Sequence, residues 1–162
     1  MKQVFHVEKY EGNLEEKYNM VIKQLEALLE GEPDLIANLA NASALLYQFL
    51  GDVNWAGFYL AKDGELVLGP FQGLPACVRI PFTKGVCGSA YSNNRIERID
   101  DVHAFPGHIA CDAASQSEIV LPILKNGEII GVLDIDSPIK SRFTETDEHY
   151  LQAFVQKLEA FI

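Results

Sequence analysis

Apolar residues recur every three or four positions near the start of the chain. Leu14, Tyr18, Val21, Ile22, Leu25, Leu28 and Leu29 share one face of a 3.6-residue repeat. Asn13, with Glu16 three residues on, has the form of a capping box, and Gly31 and Pro33 stop the run. The pattern predicts a helix over about 14–30. A second helix is predicted over about 35–50, opened by Asp34 and closed by Gly51. The rhythm then shortens to two. "WAGFYLA" (55–61) and "ELVLG" (65–69) read as strands joined through Lys62-Asp63-Gly64, and "ACVRIPF" (76–82) reads as a third. "GVCGSAYSNN" (85–94) is rich in small residues and is predicted as a helix of one or two turns. "RIERI" (95–99) alternates like an edge strand. "EIVLPILK" (118–125) and "EIIGVLDID" (128–136) meet at Asn126-Gly127, a strong hairpin signal. A last helix runs from about Glu145 to the end, capped by Thr144, with Tyr150, Leu151, Phe154, Val155, Leu158, Phe161 and Ile162 as its stripe.

Two helices, several mostly antiparallel strands with a helical insertion, and a closing helix make an α+β arrangement in layers. The first and last helices are expected on one face of the sheet. The loops 70–76 and 100–117 are left to cover the other, with a pocket between sheet and loops.

Composition narrows the function. The 162 residues fit one domain, 1–162, and at 48% hydrophobic they can bury a core. The formal net charge is −10, with scattered Lys and Arg. No basic face exists to replace phosphate counterions, so nucleic acid and anionic membrane surfaces are excluded as partners. The opening "MKQVFHVEKYEGN" is too polar for a signal peptide, and no apolar run approaches the ~20 residues that span a bilayer. The expected location is cytoplasmic. Cys77, Cys87 and Cys111 are an odd number of cysteines, which argues against a structural disulfide framework in a reducing compartment. Composition alone leaves them open as buried small hydrophobes or as reactive thiols.

Chemistry concentrates in "HAFPGHIACDAASQSEIVLP" (103–122), where histidines, a cysteine and acids crowd a stretch broken by Pro106-Gly107. In "GVLDIDSP", Asp134 and Asp136 lie two apart and share a strand face, in line with Ile130 and Val132; Leu133 and Ile135 face the other way. Carboxylates at the end of a buried strand need partners. Asp136 capping the next turn and Asp134 bonded within the fold are the plain alternatives. Glu118 begins the partner strand. A two-residue turn at Asn126-Gly127 sets it opposite Ile135, on the wrong face. A three-residue turn, Lys125 to Gly127, sets it opposite Asp134. The second register is predicted, with Glu118, Asp134 and Asp136 on one face. Clustered acids raise one another's pKa and suit a cationic ligand, a divalent metal, or a proton given to a substrate oxygen. Zinc held by the cysteines with His103 or His108 finds little support, because no Cys-x-x-Cys appears. His108, three residues before Cys111, is expected to be a satisfied loop histidine or to help the thiol. His103 is expected to be structural, and Arg79 and Arg98 to pair with surface acids.

Taken together, "WAGFYL", "GPFQGLPACVRIPFTKGVCG", "DVHAFPGHIACDAASQSEIVLP" and "GVLDIDS" resemble the free methionine-(R)-sulfoxide reductases. The resemblance covers roughly Asn54 to Asp147. It implies a GAF-like fold, with helices 14–50, a sheet over 54–137 carrying a catalytic loop at 100–117, and the helix 145–162. It implies that Cys111 is the nucleophile at the sulfoxide sulfur, that Cys77 resolves it as a disulfide, and that Cys87 can serve as a second resolving thiol. Glu118, Asp134 and Asp136 would hold the substrate, with Glu118 and Asp136 assisting protonation of its oxygen. Trp55 and Tyr59 would line the pocket around the methyl group; by itself, Trp55 reads equally as a core aromatic.

The implied reaction reduces free L-methionine-(R)-sulfoxide to methionine through a cysteine sulfenic acid, as repair after oxidative stress. No cofactor is bound. Thioredoxin, recharged by NADPH and thioredoxin reductase, is the implied reductant. Carboxylates at the pocket end would bind the α-ammonium of a free amino acid, which a residue within a polypeptide lacks. The loop is expected to move, since Cys111 must meet first the substrate and then Cys77. A homodimer through the terminal helices is the expected assembly. The competing reading is a non-catalytic GAF module that binds a small molecule as a sensor.

Overall fold

The computed structural model describes residues 5–6 and 9–162. The element order is α1 (Leu14–Leu29), α2 (Leu35–Phe49), β1 (Trp55–Lys62), β2 (Glu65–Gly73), β3 (Arg79–Pro81), α3 (Gly85–Asn93), β4 (Glu97–Ile99), a 3₁₀ turn (Val102–Ala104), β5 (Ser117–Lys125), β6 (Glu128–Ser137) and α4 (Glu145–Glu159). The six strands form one antiparallel sheet in the order β3-β2-β1-β6-β5-β4.

The caps fall where the sequence places them. Asn13 Oδ1 accepts from the Glu16 N–H, and Asp34 Oδ1 accepts from the Ala37 N–H. Thr144 and Asp147 close a reciprocal capping box at α4. The Tyr18 hydroxyl of α1 donates to Asp147 at 2.6 Å, which ties α1 to the start of α4. α1 lies along α4 and α2; α2 rests on β1 and β2, and α4 on β5. The stripe of α4 is core: Leu151, Phe154, Val155 and Leu158 are buried, with Tyr150, Phe161 and Ile162 packed at its margin. This core takes Ala56, Phe58 and Leu60 of β1, Ile119, Leu121 and Ile123 of β5, and Leu133 and Ile135 of β6.

The alternate side chains of the same strands build a second cluster on the opposite face. Trp55, Tyr59, Val120 and Val132 meet Val86, Cys87 and Ala90 of α3 there. So α3 covers this face together with the segments after β2 and before β5. β3 is shorter than the predicted 76–82, and β2 is longer, reaching Gly73.

The β5–β6 hairpin departs from the predicted turn. Asn126 and Gly127 both have positive φ (52° and 80°), and Lys125 pairs with Glu128, so the loop has two residues rather than three. The register shifts between Ile123 and Leu124, leaving Ile130 unpaired in a bulge. Glu118 therefore stands opposite Asp136, not Asp134. The face is the expected one, because one bulged residue restores the parity that the shorter turn would lose. The bulge also turns Ile130 away from the Val132–Asp134–Asp136 row, to pack beside the helical core.

Candidate active site

Three rungs of the sheet floor a cavity on the α3 face. Glu118, Asp136 and Trp55 are neighbours on one rung; Val120, Asp134 and Gly57 on the next; Pro122, Val132 and Tyr59 on the third. The predicted acids thus lie side by side, next to the predicted aromatics. Gly57 allows β2 to come close, since a Cβ there would overlap the Phe71 side chain and backbone. The walls come from Leu74, Pro75 and Ala76 after β2, from Gly85, Val86 and Cys87 of α3, and from His108, Ile109, Cys111, Asp112 and Ser115 of the loop. The cavity is about 40 Å³.

Cys77 and Cys111 form a disulfide, with Cα atoms 5.5 Å apart, that ties the cavity-lining Cys111 to the segment after β2. The loop 100–117 is thereby pinned to the segment after β2. Asp112, next to Cys111, holds the loop in two directions. Its Oδ1 accepts from the Ala114 N–H at 2.9 Å, and its Oδ2 accepts from Asn54 Nδ2 at 2.9 Å. Asn54 Nδ2 also donates to Ser115 Oγ at 3.2 Å, and its backbone N–H donates to the Asp136 carbonyl. Asn54 was not among the expected site residues. Its tie to the loop is a long-range side-chain contact, and no local signal in the sequence points to it.

Trp55 is buried, stacks on Phe71 and Tyr59, and donates its indole N–H to the Leu74 carbonyl at 3.2 Å. The Tyr59 hydroxyl donates to the Cys77 carbonyl at 2.8 Å, so this aromatic also fixes the segment carrying the disulfide. Burial, with Asp134 nearby, pushes the Tyr59 phenol up and keeps it neutral.

Cys87 is a free thiol buried in α3. Its Sγ, a Glu118 oxygen and an Asp134 oxygen lie within 4.8 Å of one another. Burial, then the neighbouring Asp134 and Glu118, raises its pKa well above the usual thiol value. Burial likewise raises the pKa of Glu118, with Asp134 and Asp136 adding to it. Asp136 is raised by burial and then by Asp134, and Asp134 by burial. The cluster therefore holds protons at pH values where exposed carboxyls have lost theirs. Asp134 Oδ1 is buried without a hydrogen-bond partner.

The histidines divide. His108 lines the cavity, and burial with His103 nearby lowers its pKa. His103 lies outside, its Nδ1 3.3 Å from Asp101. Arg79 pairs with Glu65 at 2.8 Å and Arg98 with Glu148 at 3.2 Å, the surface role expected of them. The imagined zinc set of cysteines and histidines is not assembled, because Cys77 and Cys111 are bonded to each other.

A disulfide beside a pocket of proton-holding acids suits two-electron thiol chemistry on a polar, proton-accepting group. The GAF domain family matches residues 34–162. "Protein YtsP" of Bacillus subtilis is 69% identical over 96% of this chain and 97% of its own. The free methionine-R-sulfoxide reductase of Escherichia coli is 58% identical over 91% of this chain and 89% of its own. The free methionine-R-sulfoxide reductase of Neisseria meningitidis, solved in complex with its substrate, superposes with a TM-score of 0.90 at 43% identity, over 96% of this chain and 95% of that one. Among the described residues, no helix is long and apolar enough to cross a membrane.

Proposed function

The chain belongs to the GAF family and, within it, to the free methionine-R-sulfoxide reductases, and from that premise we propose how its thiols and acids divide the work. It is an oxidoreductase that acts through the Cys77–Cys111 pair. Its substrate is free L-methionine-(R)-sulfoxide. Cys111 attacks the sulfoxide sulfur. A protonated carboxyl of the cluster, Glu118 or Asp136, gives its proton to the sulfoxide oxygen, that oxygen passes to Cys111 as its bond to the methionine sulfur breaks, and the Cys111 thiol proton returns to the carboxyl. Methionine departs and Cys111 is left as a sulfenic acid. The Cys77 thiol then displaces water from that sulfenic acid and closes the disulfide. An external dithiol protein, thioredoxin recharged by NADPH and thioredoxin reductase, takes up the disulfide's oxidation and restores both thiols. Cys87 is held in reserve as a second resolving thiol.

The observation that carries the reading is the Cys77–Cys111 disulfide over a cavity floored by Glu118, Asp134 and Asp136. Carboxylates raise a neighbouring thiol's pKa, so help to the reaction comes from proton donation rather than from a stabilised thiolate. Asp134, with its unpartnered oxygen, is suited to the α-ammonium that only a free amino acid carries. Trp55 and Tyr59 receive the S-methyl group on their apolar faces. The setting is cytoplasmic. A homodimer through the helical layer would use Leu14, Ile36 and Tyr47, the exposed apolar side chains of α1 and α2.

NADPH consumption in a thioredoxin-coupled assay tests the reaction. Turnover is expected with the R epimer of free methionine sulfoxide and not with the S epimer. With thiols verified as reduced, no turnover of either epimer would refute the assignment in favour of a non-catalytic ligand-binding module.

A further inference from the structure

The two sulfurs of the disulfide have unlike surroundings. Cys77 and Cys111 are both half-buried, so exposure alone does not decide which sulfur an outside thiol meets. Their neighbours do. Leu74 and Val78, three residues before Cys77 and one after it, are 64% and 61% exposed, the two most exposed large apolar side chains among the described residues. The backbone that carries them is fixed from below. The Leu74 carbonyl accepts from the Trp55 indole, the Cys77 carbonyl from the Tyr59 hydroxyl and the Val78 carbonyl from the Leu68 N–H, at 3.2, 2.8 and 2.9 Å. A tied-down segment, not a loose one, therefore holds these side chains out in water. Single exposed apolar residues are ordinary, but two that bracket a reactive sulfur make a platform. Residues 74–78 carry no charge, whereas Cys111 is followed by Asp112 and lines the acid-floored cavity. A thiolate approaching Cys111 meets like charge, and one approaching Cys77 does not.

We propose that Leu74 and Val78 are the docking surface for the protein dithiol that recycles the chain, and that its thiolate attacks Cys77 Sγ rather than Cys111 Sγ. The inference rests on Cys77–Cys111 being the working disulfide and on a protein dithiol being its reductant. The partner is a protein whose reactive thiol lies within an uncharged apolar surface, which covers the two side chains as the thiol reaches the sulfur. Its first thiol loses a proton to water and bonds to Cys77 Sγ. The S–S bond breaks, and Cys111 Sγ leaves with the electron pair and takes a proton from water. The partner's second thiol then attacks its own sulfur in the mixed disulfide. Cys77 Sγ leaves and takes up the proton that the second thiol gives up. The partner ends as a disulfide, and the chain has gained two electrons and two protons as two thiols. In this order Cys111 is free at the cavity while the partner still holds Cys77.

The test needs no sulfoxide. Reduction of the preformed disulfide in the full chain is followed with thioredoxin and, separately, with dithiothreitol. The wild type is compared with Val78→Glu, a position outside the cavity wall. The variant is expected to slow reduction by thioredoxin about tenfold or more and to leave reduction by dithiothreitol within about twofold. A thioredoxin that keeps only its attacking cysteine is then mixed with the oxidised chain, quenched with an alkylating agent and mapped by mass spectrometry. The mixed disulfide is expected on Cys77, with the alkyl label on Cys111. Three results would overturn the inference. One is an equal response of the two reductants to Val78→Glu, no response from either included. Another is a mixed disulfide on Cys111. The third is a wild type that dithiothreitol reduces and thioredoxin does not. Failure of sulfoxide turnover touches none of these readouts and would count against the assigned reaction alone.

Discussion

At the scale of single residues, the three thiols occupy three different environments. Cys111 sits on a loop, Cys77 on the segment it must reach, and Cys87 in the wall beside the acids. Cys111→Ser is expected to lower turnover at least about a thousandfold, because the proposed cycle gives the nucleophile's part to no other group. Cys77→Ser is expected to release one methionine per chain in a burst and then slow. Mass spectrometry of the wild type after substrate should show the loss of two hydrogens. The acids add a dependence on pH. Burial and its acidic neighbours raise the Glu118 pKa in the folded chain above its unfolded value of about 4.3. Between those two values the folded state binds the extra proton, so stability falls as pH rises through that window. Glu118→Gln lacks this penalty. Its melting temperature should therefore match the wild type near pH 4 and rise above it progressively toward neutral pH. A constant difference across that range would contradict the assigned shift.

At the scale of elements, most of the site was legible in the sequence, and the rest had a common cause. Parity along "GVLDIDS" was enough to place Asp134 and Asp136 on one face, whereas Trp55 and Tyr59 were expected at the pocket only through the family resemblance. The face of Glu118 was also foreseen, but by the wrong device. A three-residue turn and a two-residue turn with a bulge give the same parity, and local turn chemistry cannot tell them apart when the bulge lies some residues away. Beside the bulge, Gly131 runs so close to β1 that a Cβ on it would overlap the Tyr59 carbonyl. Gly131→Ala is expected to cost at least ~1–3 kcal/mol, read as a lowered denaturant midpoint, because the obstacle is backbone and cannot swing aside. The position of Cys87 against the acids was hidden for the same reason. Nothing in "GVCG" says which sheet face α3 will cover. The contribution of Asn54 to the loop, a long-range side-chain tie, has no local signature either.

At the scale of the whole molecule, two cores share one sheet. The helical side carries the larger cluster, and the α3 side gives up part of its packing to the pocket. Both edges of the sheet are brief, Arg79–Pro81 and Glu97–Ile99, and each bears charge or proline, so neither offers a template for another strand. The Cys77–Cys111 disulfide governs how the protein meets its two reactants. With it formed, Cys111 has no thiol to offer a sulfoxide. Oxidised chains therefore wait for reductant, reduced chains wait for sulfoxide, and no complex holds both. Double-reciprocal plots at several reductant concentrations should be parallel lines, and intersecting lines would contradict the alternation. Since every chain alternates between the two forms, the fraction found closed at steady state is a gauge. It reads the supply of oxidised methionine against the supply of reducing power.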